Sequence, residues 1–188
     1  MNTPPIITTL TTDEEIRQLL ALQQKNLARN NSPETVESQG FVTVEHTFDL
    51  LKQMSQAAPQ TIAKDGDAVV GYALVMLPEF RPFIPVLEPM FALFTEIPYK
   101  GRLLSEYNYY VMGQICVGEG YRGQGIFDKM YQYQRATLSG QFDLCITDVA
   151  TRNQRSMKAH ARVGFENVRE FTNTPDDTWA IVVWDFRE

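Results

Sequence analysis

With 188 residues, 44% hydrophobic and 21% charged, the chain has the proportions of a single globular domain over residues 1–188 with a sizeable core. A formal net charge of −6 and no basic tract argue against nucleic acid as a partner, since such binding rests on clustered Lys and Arg. No apolar run reaches the length of a membrane span, and Met1 to Pro5 lack the features of a signal peptide, so the default expectation is a cytoplasmic protein without membrane attachment.

In chain order, Ile6 and Ile7 suggest a short strand. Thr12 to Glu15 is a capping-box signature, followed by Ile16, Leu19, Leu20, Gln23 and Leu27 on one helical face. Asn30 to Pro33 breaks that helix. Val44, Phe48, Leu51 and Met54 are spaced for one face of a second helix ending near Pro59. Residues 61–64 and 68–77 around Asp65-Gly66-Asp67 read as a β-hairpin. Residues 78–106 carry five prolines among Phe80, Phe83, Phe91, Phe94 and Tyr99. That mixture suits an ordered loop with one helical turn near 87–94.

An apolar strand over 107–117 then enters a glycine-rich turn and a helical pattern from Ile126 to Leu138. Phe142 to Val149 reads as a strand, Asn153 to Val163 as a helix ended by Gly164, and 168–171 and 178–185 as closing strands around Pro175 to Asp177. The order is β α α β β, loop, β α β α β β, which packs economically as an α/β mixed sheet with helices on both faces. Cys116 and Cys145 lie in strand-like runs without metal-ligand spacing, so both read as core and no metal is expected.

The informative stretch is Gln114 to Gly125. Strand, glycine turn and helix together offer unpaired backbone N–H groups to an anion, and Gly118, Gly120, Gly123 and Gly125 permit positive φ and close approach. Gly118-x-Gly120-x-x-Gly123 also matches a dinucleotide fingerprint, with Asp148 near the ribose-binding position. A doubly wound fold needs several further β-α units, however, and only one strand and one short helix follow before the closing hairpin.

The second half of the pattern, Tyr121-Arg122-Gly123-Gln124-Gly125-Ile126, resembles motif A of the GCN5-related N-acetyltransferase (GNAT) superfamily. Asn153-x-x-Ser156-x-x-x-His160-x-x-x-Gly164-Phe165 resembles its second signature. The resemblance implies a GNAT fold, with a mixed, mostly antiparallel sheet. It implies acetyl-CoA as co-substrate, with the pyrophosphate on Tyr121, Arg122, Gly123, Gln124, Gly125 and Ile126. The pantetheine arm would lie along Ile115, Cys116 and Val117, with Asn153 lining its groove.

Three positions depart from the family pattern. Gly120 stands for Gln or Arg, Phe127 for Gly or Ala, and His160 for a Tyr that often acts as general acid toward the departing sulfur. His160 is therefore the expected catalytic residue. An amine acceptor must also lose a proton, and Glu79, Glu88, Glu96, Glu119 and Asp148 are the candidate bases. The expected activity is acetyl transfer to a primary amine, on a small molecule or a peptide, by direct attack in a ternary complex. The alternative is an acyl-CoA sensor without turnover. The aromatic loop suits a cationic amine, a lid or a homodimer surface equally.

Overall fold

A computed structural model of the chain describes residues 4–31, 42–174 and 177–188. Strand β1 (Ile6–Thr9) leads to helix α1 (Asp13–Asn26). The capping box forms as the sequence implies: Thr12 Oγ1 accepts from Glu15 N–H at 3.1 Å and Glu15 Oε2 accepts from Thr12 N–H at 3.1 Å. The same carboxylate takes Lys64 Nζ at 2.8 Å, fastening α1 to the sheet. The second helix, α2 (Phe48–Ala57), begins later than the apolar spacing suggests. Thr47 caps it by accepting from Leu50 N–H at 3.2 Å, which leaves Val44 in an extended strap with residues 42–46. The expected break at Asn30 to Pro33 and the turn at Pro175 to Asp177 fall partly outside the described residues.

Strands β2 (Thr61–Asp65) and β3 (Ala68–Met76) form the expected hairpin. The aromatic loop holds two 3-10 turns, Pro78–Phe83 and Pro85–Leu87, and a short helix α3 (Glu88–Leu93). It also holds a small hairpin, β4 (Pro98–Tyr99) with β5 (Arg102–Leu103), which the prolines concealed. Then come β6 (Tyr109–Val117), α4 (Ile126–Leu138), β7 (Leu144–Ala150), α5 (Gln154–Val163), β8 (Glu166–Thr174) and β9 (Asp177–Asp185).

Seven strands make one sheet in the order β1-β2-β3-β6-β7-β9-β8, and every neighbouring pair is antiparallel except β6 with β7. Helix α1 packs on β3 and α2 on one face, and α4 packs on β1, β2, β3 and β6 on the other, beside α5. Two apolar cores result. Leu74, Val111, Ile146 and Ile181 belong to the α1 side, and Val75, Met112, Cys145 and Val182 to the α4 side.

A bulge in β6 matters for function. The β3 register passes from Leu74↔Gln114 to Val75↔Met112, so Gly113 is the extra residue. Without it, Met112 and Gln114 would share a face. With it, Ile115 and Val117 join Met112 on the α4 side, and Gln114 and Cys116 turn to the α1 side. A Cβ at 113 would lie 3.1 Å from Met76 Cβ, so glycine suits the site.

Gly164 closes α5 at φ +125°, and a Cβ there would meet Trp184 Nε1 at 2.7 Å. Gly164→Ala therefore meets both a backbone penalty and a clash with β9, and we expect a loss of about 2–4 kcal/mol. Urea unfolding checks it; a change under about 0.5 kcal/mol would show that Trp184 yields freely.

Candidate active site

Strands β6 and β7 pair only at Tyr109↔Leu144, Tyr110↔Cys145 and Val111↔Ile146. Beyond Val111 no ladder pair joins them, although β6 runs to Val117 and β7 to Ala150. Thr147 Oγ1 donates to Met112 O at 2.9 Å, taking a carbonyl at the end of the ladder. A gap in the middle of the sheet follows.

Gly118 N–H donates to Val70 O at 2.8 Å. Counting back by twos along an antiparallel pair, Cys116 and Gln114 also point their backbone groups at β3. The backbone groups of Ile115 and Val117 then face the gap, and Val117 O indeed accepts from Arg122 Nε at 3.0 Å rather than from β3. This edge is open to an added strand-like ligand.

The glycine turn sits at the end of β6. Gly123 (φ +78°) and Gly125 (φ +76°) are left-handed, and nothing lies within 4 Å of a Cβ built on either. Backbone conformation, not crowding, therefore calls for glycine there. Among the described residues no acceptor reaches the N–H groups of Gly123, Gln124, Gly125, Ile126 or Phe127. The first intrahelical bond is Lys129 N–H to Gly125 O at 3.0 Å. These donors at the positive end of α4 form an anion cradle. Tyr121 braces it, donating to Asp65 Oδ2 at 2.7 Å.

A cavity of about 460 Å³ runs from this cradle along β6 to α5. Of the residues singled out from sequence, Ile115, Cys116, Val117, Tyr121, Arg122, Gly123, Gly125, Ile126 and Asn153 line it. Gln124 does not, since its amide turns back to Gly120 O at 3.0 Å. Arg122 is drawn toward α1, with Nη2 on Asn26 Oδ1 at 2.6 Å. Asn153 caps α5, accepting from Ser156 N–H at 3.1 Å, while also lining the cavity. Arg155 and Arg162 on α5 complete the wall; as isolated polar-face residues they carried no signal in the sequence. Arg162 is held by Asp128 at 2.6 and 2.9 Å. Burial pushes the Cys116 thiol up to about 12, so it is no nucleophile at neutral pH.

A second, smaller cavity of about 110 Å³ continues through the gap toward the α1 side, where Val44, Leu87, Asp148 and Trp179 meet Met112 and His160. The strap that brings Val44 there is anchored by buried amides. Gln114 Nε2 donates to Val44 O at 2.8 Å, and its Oε1 accepts from Gln23 Nε2 at 2.7 Å and Tyr72 OH at 2.6 Å. Gln23 Oε1 in turn accepts from His46 N–H at 2.9 Å. Gln114 and Gln23 read in the sequence as a motif edge and a helix-face residue; nothing local marked them as partners.

His160 is 3% exposed among the rings of Phe127, Tyr131 and Phe165. Its Nδ1 lies 2.8 Å from Ser156 O and must donate to that carbonyl; its Nε2, 2.8 Å from Tyr131 OH, then accepts. Burial lowers its pKa to about 4. The ring is neutral at physiological pH, with both nitrogens engaged. Of the five candidate bases, Glu79, Glu88, Glu96 and Glu119 are exposed, with Glu88 paired to Arg81. Asp148 alone lines the gap, and burial raises its carboxyl to about 7.

Those buried groups set a pH dependence. His160 and His46, both lowered to about 4 by burial, take up protons on unfolding between roughly pH 6.5 and 4, so stability falls as pH drops through that window. Asp148, protonated in the fold up to about pH 7, works in the opposite direction. With two groups against one, stability should decline by about 1.4 kcal/mol per pH unit near pH 5.5. Urea titrations at about pH 6 and 5 measure this slope; a stability that rises on acidification would contradict the two neutral imidazoles.

The sheet thus opens at its one parallel strand pair, with open backbone N–H groups and a cavity at the mouth. The family model described as the Acetyltransferase (GNAT) family matches residues 25–165, and the chain belongs to that family. Among solved structures, the fold is similar to the ribosomal-protein-S18-alanine N-acetyltransferase from Escherichia coli, with 11% identity and a TM-score of 0.63 over 97% of this chain and 94% of that one. It is similar to an N-acetyltransferase from Staphylococcus aureus Mu50, with 16% identity and a TM-score of 0.64 over 98% and 99%. It is also similar to yncA from Salmonella typhimurium, solved with its cofactor acetyl-CoA, with 10% identity and a TM-score of 0.62 over 98% and 95%. At these identities the likeness concerns fold. Comparison with curated proteins returns no match. Among the described residues no helix is long and apolar enough to cross a membrane.

Proposed function

We propose that this chain, acting as one domain, transfers an acetyl group from acetyl-CoA to a primary amine by direct attack in a ternary complex. The observation that carries the reading is the continuity of the β6–β7 gap with the cradle. Gly123 to Phe127 supply donors for a pyrophosphate, and Ile115 and Val117 supply a strand edge for the pantetheine amides. A backbone N–H of β6 facing the thioester carbonyl would stabilise the oxyanion as the amine attacks. The second cavity, which shares Val42, Ile115, Asn153 and Ser156 with the first, is where the amine enters.

In this reading His160 holds α5 against α4 and is not the proton donor expected from the family pattern. Its Nδ1 proton is committed to Ser156 O, and its low pKa removes the imidazolium. That same commitment favours the second reading, an acyl-CoA sensor without turnover.

Acetyl-CoA at about a hundred times its Kd should stabilise the protein by about 2.7 kcal/mol, roughly 5–10 °C in Tm. NAD should leave Tm unchanged. Stabilisation by NAD alone would defeat both readings. Thiol release on adding amines then separates enzyme from sensor.

A further inference from the structure

We propose that the hydroxyl of Ser156 meets the departing sulfur, in the place that the family pattern gives to residue 160. This rests on the acetyltransferase reading and deepens it, by naming a group of the chain that acts on the leaving thiolate. Position is the first ground. Four residues line both cavities: Val42, Ile115, Asn153 and Ser156. They mark the junction where a donor in the larger cavity and an acceptor in the smaller one come together. Val42 and Ile115 are apolar, and the Asn153 oxygen is taken by Ser156 N–H at 3.1 Å. Among the described residues, Ser156 carries the one hydroxyl at that junction.

Orientation is the second ground. Ser156 stands one turn before His160 on the same face of α5, and it is half-buried where His160 is buried. His160 Nδ1 lies 2.8 Å from Ser156 O and 3.2 Å from Ser156 Oγ. The ring proton on Nδ1 goes to the carbonyl, with Oγ as its weaker second acceptor. Oγ thus receives from the ring and cannot donate to it. No other partner of Oγ is found among the described residues, so its own hydrogen is left for the cavities. The imidazole that is withdrawn from the sulfur therefore holds a hydroxyl one turn away in a donating orientation.

The other hydroxyls that line or back the two cavities are committed elsewhere. Tyr121 OH donates to Asp65 Oδ2, Thr147 Oγ1 to Met112 O and Tyr131 OH to His160 Nε2. Thr43 lines the smaller cavity and not the larger. Ser156 also belongs to the first turn of α5, whose positive end favours negative charge building on sulfur.

The step balances. The nitrogen of the neutral amine forms the C–N bond as the C–S bond breaks, and the electron pair of that bond passes to sulfur. The Ser156 hydroxyl gives its hydrogen to sulfur and takes the proton that the nitrogen sheds. An amide and a thiol leave, and Ser156 is restored.

The test uses coenzyme A, the product thiol, and needs no acceptor. Thiolate absorbance in the ultraviolet, followed against pH, gives the pKa of the thiol in the bound complex. A hydrogen bond donated to the thiolate lowers that pKa. Ser156→Ala should therefore raise it by about one unit, a tenfold change in the ionisation constant. Arg155 and Arg162 of the cavity wall act on both proteins alike, so the difference isolates the hydroxyl. Ser156→Thr, which keeps a hydroxyl, should titrate with the parent. Equal pKa values in the parent and the alanine variant overturn the proposal, and so does a threonine variant that titrates with alanine. Should Ser156→Ala not fold, Ser156→Gly takes its place in the same comparison. If coenzyme A binds none of these proteins, the acetyltransferase reading falls instead.

Discussion

Gly125→Val is expected to weaken acetyl-CoA binding about a hundredfold while the protein remains folded. Gly125 holds φ +76° at the residue that opens α4. A β-branched side chain is a marked outlier there, at a cost of about 1–2 kcal/mol. Because nothing lies within 4 Å of the new Cβ, the fold can absorb that cost by local rotation of the turn. The rotation re-aims the N–H groups of Gly125, Ile126 and Phe127, and the valine methyls occupy the space a phosphate needs. Hydrogen bonds to a charged group are worth about 1.5–3 kcal/mol each; losing one or two accounts for the expected factor. Gly120→Ala is the control, since Gly120 has no positive φ and no neighbour within 4 Å of a Cβ. Calorimetric Kd values for the pair decide it. A folded Gly125→Val protein with unchanged Kd would move the pyrophosphate away from this turn.

Gln114→Leu is expected to give the largest loss of stability, about 3–5 kcal/mol, with a fall in Tm on the order of 10 °C. Gln114 is 8% exposed and serves three partners. Leucine fills a similar volume, so packing loss is small. The cost comes from groups left behind: Tyr72 OH, 0% exposed, loses the Gln114 oxygen, Gln23 Nε2 keeps only His46 Nδ1 at 2.9 Å, and Val44 O loses its donor. Each unsatisfied buried group costs about 1–3 kcal/mol. The strap over 42–46 then loses its side-chain anchor to β6, so KM for the amine should rise more than Kd for acetyl-CoA. Thermal unfolding and paired KM and Kd measurements check both parts. A Tm within about 2 °C of the parent would show that water replaces the amide.

Much of this was legible locally. The Thr12 to Glu15 box, the Asp65-Gly66 turn and Gly164 each announce themselves because a cap, a two-residue turn or a positive φ restricts residue choice at that position alone. The late start of α2 was misread, because Val44 fits a helical spacing by chance while Thr47 supplies the cap. The hairpin of β4 and β5 was hidden by prolines, which exclude regular ladders on average but are tolerated in a two-residue strand. The choice among five acidic residues was also out of reach. Glu79, Glu88, Glu96 and Glu119 look as plausible as Asp148 in the sequence, and only its place on the lining of the gap sets Asp148 apart.

The sequence by itself determined the order of the main elements, the glycine turn at a helix start, and the family that the two spaced signatures carry. These depend on short-range quantities: periodicity, φ at glycines and N–H groups at a helix start. The tertiary structure decided where β6 parts from β7 and which way Gln114 turns after the bulge. It also decided that His160 spends its ring proton on Ser156 and that Asp148 faces the gap. Each of those outcomes depends on groups that meet only after folding, from Gln23 with Gln114 to Asp148 with Trp179, and no local pattern encodes such a meeting.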